Sequence, residues 1–197
     1  MRIAIAKGRV LDEVENVTQL LLYVKDDRSL SRASNLVDLE CLIVKPWDVP
    51  LYVAAGIVEL GIVGNDVLRE RNLDTVELLD LRLAPCRLVL AGLSERVAVR
   101  NLRVATKYPI LARELLEKRG IIPQLFQLQG SVELAPLVGL ADAIVDIVQT
   151  GVTLRDNGLT VWEELMSVSA RLVVNPAAWR LNRKEVERII MYLEAHK

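Results

Sequence analysis

The stretch ADAIVDIVQTGVTL (residues 141–154) is the most informative part of the sequence for fold and function. Its apolar residues have the pattern of a buried β-strand, yet the strand contains a carboxylate, Asp146. Burying an unpaired carboxylate costs several kcal/mol, so Asp146 is expected to have a partner or a ligand. Thr150, Gly151 and Thr153 follow, where a helical pattern begins. The stretch therefore predicts a strand-to-helix turn at the opening of a parallel sheet, where ligands bind.

The turn has the composition of a small phosphate cradle. Gly151 allows the backbone to approach an anion, Thr150 and Thr153 carry donor hydroxyls, and a helix start offers unpaired N–H groups. A nearby carboxylate suits a 5-phosphoribosyl group, with the phosphate on the turn and the ribose hydroxyls on the acid. The spacing fits a second interpretation equally well: the threonines cap a helix, and Asp146 bonds to backbone amides.

Outside this stretch, short apolar runs alternate with segments of helical period, which is typical of an α/β fold with helices on the faces of mixed sheets. The helical pattern after Pro109 predicts an amphipathic helix that ends at Gly120. The predicted strands lie near residues 2–6, 40–45, 58–63, 86–91, 102–105, 124–128, 141–148 and 171–174.

Two segments 83 residues apart are similar: GIVELGIV (56–63) and GLADAIVD (139–146). Each follows a helical segment rich in alanine, valine and proline, begins with glycine and carries an acid three residues later. The similarity predicts two related α/β lobes whose strand ends line a cleft. We expect the chain to cross between them near Gly92 and near 167–170. The predicted lobes are a discontinuous lobe I (1–91 and 170–197) and a lobe II (92–169).

Composition excludes several classes of function. Lys and Arg number 25 against 26 acids, a net charge of −1, so no global field attracts nucleic acid or an anionic membrane. No run of 18 apolar residues exists and the first apolar segment is too short for a signal peptide, so a cytoplasmic location is expected. Cys41 and Cys86 are expected to be buried apolar residues. The single histidine, His196, leaves no imidazole for a catalytic triad or a histidine metal cluster.

A basic cluster follows the first predicted strand, at Lys7-Gly8-Arg9. Two cations at the end of a strand suit pyrophosphate, because arginine binds phosphate oxygens bidentately and lysine adds a point charge. A solvated helix start fits less well, because cations there oppose the helix dipole. Arg28 is a lesser candidate, since by itself it is typical of a surface loop. Glu133 is expected in the first turn of a helix; the spacing does not decide whether it faces a site.

Five segments, taken in order, resemble one family: KGR (7–9), KPWDVPLYVAAGIVELGIVGNDVL (45–68), RVATKYP (103–109), GSVELAPLVGLADAIVDIVQTGVTLRDNGL (130–159) and ARLVVNP (170–176). They resemble the catalytic subunit of ATP phosphoribosyltransferase, the first enzyme of histidine biosynthesis. The resemblance implies a two-lobed fold like that of type II periplasmic binding proteins. It also implies transfer of the phosphoribosyl group of phosphoribosyl pyrophosphate to adenine N1 of ATP. Magnesium is then required and arrives with the substrate.

The resemblance also assigns residues. Arg9 and Arg28, with Lys7, match the catalytic residues that act on the pyrophosphate and the ATP phosphates. Lys45 stands where the family commonly has arginine, and Gln149 where serine, glutamate or aspartate is usual. The matching ATP-binding residues are Lys7, Gly8, Arg9 and Asp66, and those for phosphoribosyl pyrophosphate are Glu133, Asp146, Gln149, Thr150, Gly151, Val152 and Thr153.

The chain ends at Lys197, without the additional carboxy-terminal domain of the family's long form. It therefore resembles the short form, which implies a hetero-oligomer with a regulatory subunit that resembles histidyl-tRNA synthetase. Two alternatives remain open from the sequence. One is a cytosolic two-lobed sensor that binds a phosphorylated metabolite without chemistry. The other is a phosphoribosyltransferase that acts on a free purine or pyrimidine base.

Overall fold

The computed structural model describes residues 1–18, 20, 22–23, 31–36, 38–93 and 101–196. The chain forms two compact units: unit 1 consists of residues 1–85 and 169–197, and unit 2 of residues 86–168. The first crossing therefore lies between Pro85 and Cys86, and the prediction near Gly92 was too late along the chain. The reason is that the strand beginning at Cys86 pairs within the sheet of unit 2. The second crossing, at Val168–Ser169, falls inside the predicted segment.

The elements are named here in chain order. The strands are β1 (Arg2–Ala6), β2 (Leu22–Tyr23), β3 (Ser31–Ser34), β4 (Glu40–Val44), β5 (Leu60–Gly64), β6 (Val76–Asp80), β7 (Cys86–Gly92), β8 (Asn101–Thr106), β9 (Ile122–Gln127), β10 (Ala143–Val148), β11 (Thr160–Val168) and β12 (Ala170–Val174). The α-helices are α1 (Arg9–Val17), α2 (Val49–Ala54), α3 (Asn65–Arg71), α4 (Pro109–Glu117), α5 (Leu134–Leu137), α6 (Val152–Asp156), α7 (Pro176–Leu181) and α8 (Arg183–Ala195), and a 3₁₀ turn spans Pro46–Asp48.

Each of the eight predicted strands is present, but β2, β3, β6 and β11 were not predicted. The longest of these is β11, which pairs with β7 and has register shifts between Val161 and Glu163 and again between Glu164 and Met166. Each irregularity breaks the alternation of apolar and polar residues that identifies a strand. The predicted helix after Pro109 is α4, which buries Leu111, Ala112, Leu115 and Leu116 and leaves Ile110 55% exposed.

Unit 1 has a seven-stranded sheet in the order β2-β3-β4-β1-β5-β12-β6. The central strands β4, β1 and β5 are parallel, and β12 runs antiparallel to β5. Both faces of β1 are buried, since Ile3 and Ile5 pack with residues of α1 and α8 while Ala4 and Ala6 pack with residues of α2 and α3. Such two-sided burial explains the continuous apolar run at the start of the chain.

Unit 2 has a five-stranded sheet in the order β11-β7-β10-β8-β9. Strands β10, β8 and β9 are parallel, and β7 is antiparallel to β10. This is the same arrangement as β5, β1, β4 and β12 in unit 1, in the same spatial order. In both units a helix precedes the central strand and another follows it, α2 and α3 around β5, and α5 and α6 around β10.

The similarity that the sequence indicated extends to individual hydrogen bonds. After α2, the N–H groups of Ala55, Gly56, Ile57 and Val58 donate to the carbonyls of Leu51, Val53, Tyr52 and Tyr52. After α5, at the same offset, the N–H groups of Val138, Gly139, Leu140 and Ala141 donate to those of Leu134, Pro136, Ala135 and Ala135. The helix-to-strand connection is therefore the same structure in both units.

The two acids of the repeat have equivalent roles. The N–H of Glu59 donates to the Arg2 carbonyl, and its carboxylate accepts the N–H of Arg2 at 2.6 Å. In unit 2 the N–H of Asp142 donates to the Arg103 carbonyl, and its carboxylate accepts the N–H of Arg103 at 3.1 Å. Asp142 also binds the Arg103 guanidinium, Oδ1 to Nη2 at 2.6 Å. Each acid thus fixes the amino end of a parallel strand pair, β5 with β1 and β10 with β8.

Candidate functional site

A cavity of about 320 Å³ lies at the carboxyl end of β10, within unit 2. This edge of the sheet is where ligands bind in open α/β sheets. The cavity brings together all seven residues that were assigned to phosphoribosyl pyrophosphate. Its lining consists of Glu133, Asp146, Ile147, Val148, Gln149, Thr150, Gly151, Val152, Thr153 and Leu154.

The wall of the cavity is a three-residue turn, Gln149–Gly151, between the end of β10 and the start of α6. Gly151 has φ 76° and ψ 8°, a left-handed conformation that glycine adopts without strain. A Cβ at Gly151 would come no closer than 3.7 Å to the protein, at Val148 Cγ1. The glycine is therefore required by the backbone conformation and leaves open space, as expected of a turn that receives a ligand.

The interpretation of the threonines as helix caps finds little support among the described residues. The residue at the N-cap of α6 is Gly151, and no described side chain caps the helix. Thr150 Oγ accepts the N–H of Val152 only at 3.5 Å, the outer limit for a hydrogen bond. Gln149, Thr150 and Thr153 are all exposed. The hydroxyls and the first N–H groups of α6 thus lie at the cavity wall, where an anion could bind.

Asp146 is half-buried at the base of the cavity. Burial raises the pKa of its carboxyl, and the negative charge of Glu133 adds to the increase. The N–H of Ile147, which donates to Asp146 Oδ1 at 2.8 Å, and the positive charge of Lys107 act in the opposite direction. One backbone bond leaves acceptor capacity on the carboxylate, because an ionised carboxylate has about four acceptor sites. Asp146 is therefore available to hydroxyl donors in the cavity.

Two charged residues, Glu133 and Lys107, affect the pKa of Asp146, and the sequence identified only Glu133 as a candidate. The spacing could not decide where Glu133 points; it lies at the N-cap position of α5 and lines the cavity. Lys107 was not assigned any role. It follows β8, the strand parallel to β10, so the ends of the two strands share one edge of the sheet. That pairing was the signal that could have identified Lys107, but strand order is not readable from a single sequence.

The basic turn Lys7-Gly8-Arg9 lies in unit 1, at the carboxyl end of β1. Gly8 has φ 92° and ψ −143°, a conformation that is essentially restricted to glycine. Lys7 is exposed, and Arg9 Nη2 donates to the Ala84 carbonyl at 3.3 Å. The cations are thus presented by a glycine turn, as predicted from the sequence. Their binding of phosphate stays a prediction.

The other predicted residues are placed as follows. Asp66, in the first turn of α3 in unit 1, is only 4% exposed, so little of its surface is open to a ligand. Lys45 is exposed at the end of β4, next to β1 in the sheet. Arg28 lies outside the described residues. Among the described residues, no group of three or more His, Cys, Asp or Glu could hold a metal ion. No helix in the described part of the chain is long and apolar enough to cross a bilayer.

The fold and the cavity define a two-lobed α/β protein of the type II periplasmic-binding-protein class, with a cavity at a glycine turn in its second unit. The aliphatic sulphonate binding protein SsuA from Escherichia coli has this fold. It matches all of this chain and 68% of its own with a TM-score of 0.59 at 14% identity, a likeness of fold alone.

The family model for ATP phosphoribosyltransferase matches residues 45–195. The ATP phosphoribosyltransferase of Geobacillus kaustophilus is 41% identical over 99% of this chain and 97% of its own. That of Caldicellulosiruptor saccharolyticus is 44% identical, with 98% and 96% covered. A chain of the ATP phosphoribosyl transferase (HisG:HisZ) complex from Thermotoga maritima superposes with a TM-score of 0.83 at 34% identity, over 99% of this chain and 97% of that one. The chain belongs to the ATP phosphoribosyltransferase family.

Proposed function

We propose that this chain transfers the 5-phosphoribosyl group of phosphoribosyl pyrophosphate to N1 of ATP and releases pyrophosphate, the first step of histidine biosynthesis. The observation that carries the proposal is the cavity at the end of β10, where an uncapped glycine turn and a half-buried carboxylate lie together in a chain of this family. We assign the reaction to the cytoplasm because it is a biosynthetic step.

In unit 2, the 5-phosphate binds the turn and the first residues of α6. The N–H groups and hydroxyls from Thr150 to Thr153 supply donors, and a phosphate is favoured at the positive end of backbone dipoles. Asp146 accepts hydrogen bonds from the ribose hydroxyls, with Glu133 beside it. The cavity volume of about 320 Å³ is consistent with a sugar phosphate in this part of the site.

In unit 1, Lys7 and Arg9 act on the pyrophosphate and the ATP phosphates, with Gly8 giving the backbone the conformation that presents them. The departing pyrophosphate gains charge as its bond to the sugar breaks, and fixed cations stabilise that charge. Arg28 has the same role by the resemblance. Asp66 is assigned to the ATP side, and its burial means that a small movement of α3 would be needed for direct contact.

The chemistry needs no protein base. Adenine N1 carries an unprotonated lone pair at neutral pH; it forms the bond to the anomeric carbon while the carbon–oxygen bond to pyrophosphate breaks and its electron pair leaves with that oxygen. This suits a chain whose single histidine is the penultimate residue. The protein supplies position and charge, and holding two reactants in near-attack geometry lowers a barrier by roughly 7–11 kcal/mol.

Magnesium fits this site as a companion of the substrate. Mg²⁺ is usually held by one or two carboxylates together with substrate phosphates, and the cavity contains two carboxylates, Glu133 and Asp146. When bound, the ion neutralises phosphate charge on the substrates.

A regulatory partner is also part of the proposal. The Thermotoga maritima chain that resembles this one comes from a HisG:HisZ complex. We therefore propose a hetero-oligomer with a regulatory subunit of that kind, one that resembles histidyl-tRNA synthetase, with full activity and feedback control residing in the complex.

The test is to mix the protein with ATP, magnesium and phosphoribosyl pyrophosphate, with and without that subunit, and to measure pyrophosphate release and the mass of the nucleotide product. We expect a product one phosphoribosyl unit heavier than ATP. Ligand binding without product, even in the complex, would favour a sensor. Product from adenine in place of ATP would favour a transferase of free bases.

A further inference from the structure

Two side chains of α1 bind the backbone of one residue, Ala84. The carboxylate of Glu13 accepts the N–H of Ala84 at 2.6 Å, and Arg9 Nη2 donates to the Ala84 carbonyl at 3.3 Å. Arg9 and Glu13 are four residues apart in α1, so they lie on the same face of the helix. Both polar groups of Ala84 are therefore held by one helix face, and one of the two side chains belongs to the basic turn.

Ala84 has a backbone conformation that needs such contacts. Its φ is 50°, in the left-handed region that a residue with a Cβ rarely adopts, and such a conformation persists only where the surroundings impose it. The residue is also buried, at 3% exposure, and a buried N–H group is costly to leave unpaired. Glu13 thus both satisfies the N–H and holds the left-handed conformation.

The segment before Ala84 is fixed next to the same helix. Leu81 and Leu83 are buried in one core with Leu11 of α1. The N–H of Leu81 donates to the Ala170 carbonyl at 3.0 Å, and the Leu83 carbonyl accepts the N–H of Ala170 at 2.8 Å. These bonds reach as far as Leu83, so the next residue, Ala84, depends on the side chains of α1.

The bond to Ala84 also fixes the guanidinium of Arg9. Arginine has a flexible stem that ends in several N–H donors arranged as a planar fork. One donor bonded to a fixed carbonyl sets the direction of the fork and leaves the remaining donors for phosphate oxygens. A cation stabilises developing charge most effectively when it is held in place before the reaction.

We propose that Glu13 is a positioning residue for Arg9, because it holds the left-handed Ala84 backbone whose carbonyl orients the guanidinium. This inference rests on the proposed function, since it takes Arg9 to act on the departing pyrophosphate. Glu13 acts through Ala84 and needs no contact with a substrate.

The first test compares two matched variants of the full chain, with the regulatory subunit present where activity requires it. Glu13→Ala and Glu59→Ala each remove a half-buried carboxylate that accepts a backbone N–H at 2.6 Å in unit 1. Glu13→Ala should lower kcat roughly tenfold with little change in KM for phosphoribosyl pyrophosphate, since a misplaced Arg9 costs less than a missing one. Glu59→Ala should keep the parent kcat. Equal kcat values in the two variants would overturn the inference.

Two conservative variants separate the hydrogen bond of Glu13 from its charge. Glu13→Gln keeps an oxygen that accepts the Ala84 N–H, so it should retain most of the parent kcat. Glu13→Asp keeps the charge, but its shorter side chain withdraws the acceptor, so kcat should fall as in Glu13→Ala. Hydrogen exchange of the Ala84 amide, followed by NMR, should be slow in the parent and in Glu13→Gln and faster in Glu13→Asp. The opposite order of kcat in these two variants would assign the effect to charge and overturn the inference.

A double-mutant cycle tests whether Glu13 acts through Arg9. In Arg9→Ala there is no guanidinium to orient, so the addition of Glu13→Ala should not lower kcat further. Losses that multiply in the double variant would mean that Glu13 acts independently of Arg9 and would overturn the inference. An Arg9→Ala variant with the parent kcat would overturn it too, because Glu13 would then have no catalytic group to position.

Failure of this inference is distinguishable from failure of the proposed function. A parent chain that forms product while Glu13→Ala keeps the parent kcat would overturn the Glu13 inference alone. A parent chain that forms no product, even with the regulatory subunit, would overturn the proposed function and the role of Glu13 with it.

Discussion

The two units present the same strand and the same preceding connection, but they leave the strand differently. In unit 1, α3 begins at Asn65 directly after β5 ends at Gly64. In unit 2, three residues, Gln149–Gly151, stand between β10 and α6. The candidate phosphate turn is therefore a short insertion into one copy of a repeated scaffold.

The polar side chains that follow β5 and β10 also differ, in their hydrogen bonding and in their exposure. Asn65 is bonded within unit 1: its N–H donates to the Ser169 carbonyl at 3.1 Å, and its Oδ1 accepts the N–H of Ser169 at 3.2 Å. Asp66 beside it is buried. In unit 2, Thr150 and Thr153 are exposed around a left-handed glycine. The polar residues after β5 are thus bonded or buried within unit 1, whereas the threonines after β10 are exposed. The proposed phosphate site therefore depends on the turn and not on the repeat.

The largest effect is expected from a substitution of the glycine in the turn after β10. Gly151→Val places a β-branched residue in a left-handed conformation and fills the turn, and it should abolish binding of phosphoribosyl pyrophosphate as measured by calorimetry. Gly158→Val is the matched control, because Gly158 also has a positive φ, 68°, but does not line the cavity. Unchanged affinity in the Gly151 variant would show that the turn is only a helix start.

The next effect concerns the basic turn of unit 1. Arg9→Ala should reduce turnover by roughly 100-fold, the usual cost of losing one donor to developing charge, with a much smaller change in affinity for phosphoribosyl pyrophosphate. Initial rates at saturating substrates measure the first quantity. Arg180→Ala, at an exposed position on α7 in the same unit, serves as the control. An equal loss of rate in both variants would contradict the role of Arg9.

A smaller effect should distinguish the equivalent acids of the repeat. Asp142→Ala should lower the free energy of unfolding by about 2 kcal/mol and Glu59→Ala by about 1 kcal/mol, since Asp142 binds the Arg103 guanidinium in addition to a backbone N–H. Urea unfolding followed separately by tryptophan fluorescence and circular dichroism measures both. The reverse order would contradict the additional contribution of the Arg103 guanidinium to the stability that Asp142 provides.

The smallest effect is the dependence of the Asp142 contribution on pH. The Arg103 guanidinium, together with the Arg103 N–H and despite burial, holds the pKa of Asp142 below its ordinary value. A carboxyl whose pKa is lower in the folded state stabilises the fold above the unfolded-state pKa, and that stabilisation is lost as the pH falls through the folded-state pKa. The stability difference between the parent and Asp142→Asn should therefore narrow in acid. A difference that grows in acid would contradict the Arg103 pairing.

Much of the fold could be predicted from the sequence because its signals are local. The buried central strands give apolar runs, Gly151 follows from its place in a polar turn, and the repeat is visible at one fixed offset. The unit boundary at Cys86 could not be predicted, because an apolar strand such as β7 could belong to either unit. β11 was missed because its bulges break the alternation, and Lys107 because its neighbour Asp146 is set by strand order.

The insertion after β10 is tested most directly by an NMR titration of the isotope-labelled chain with ribose 5-phosphate. The account predicts saturable shifts of the backbone amides of Gly151, Val152 and Thr153, and little change at Asn65 and Asp66. Saturable binding that shifts the amides at the β5–α3 junction and leaves Gln149–Thr153 unmoved would contradict it.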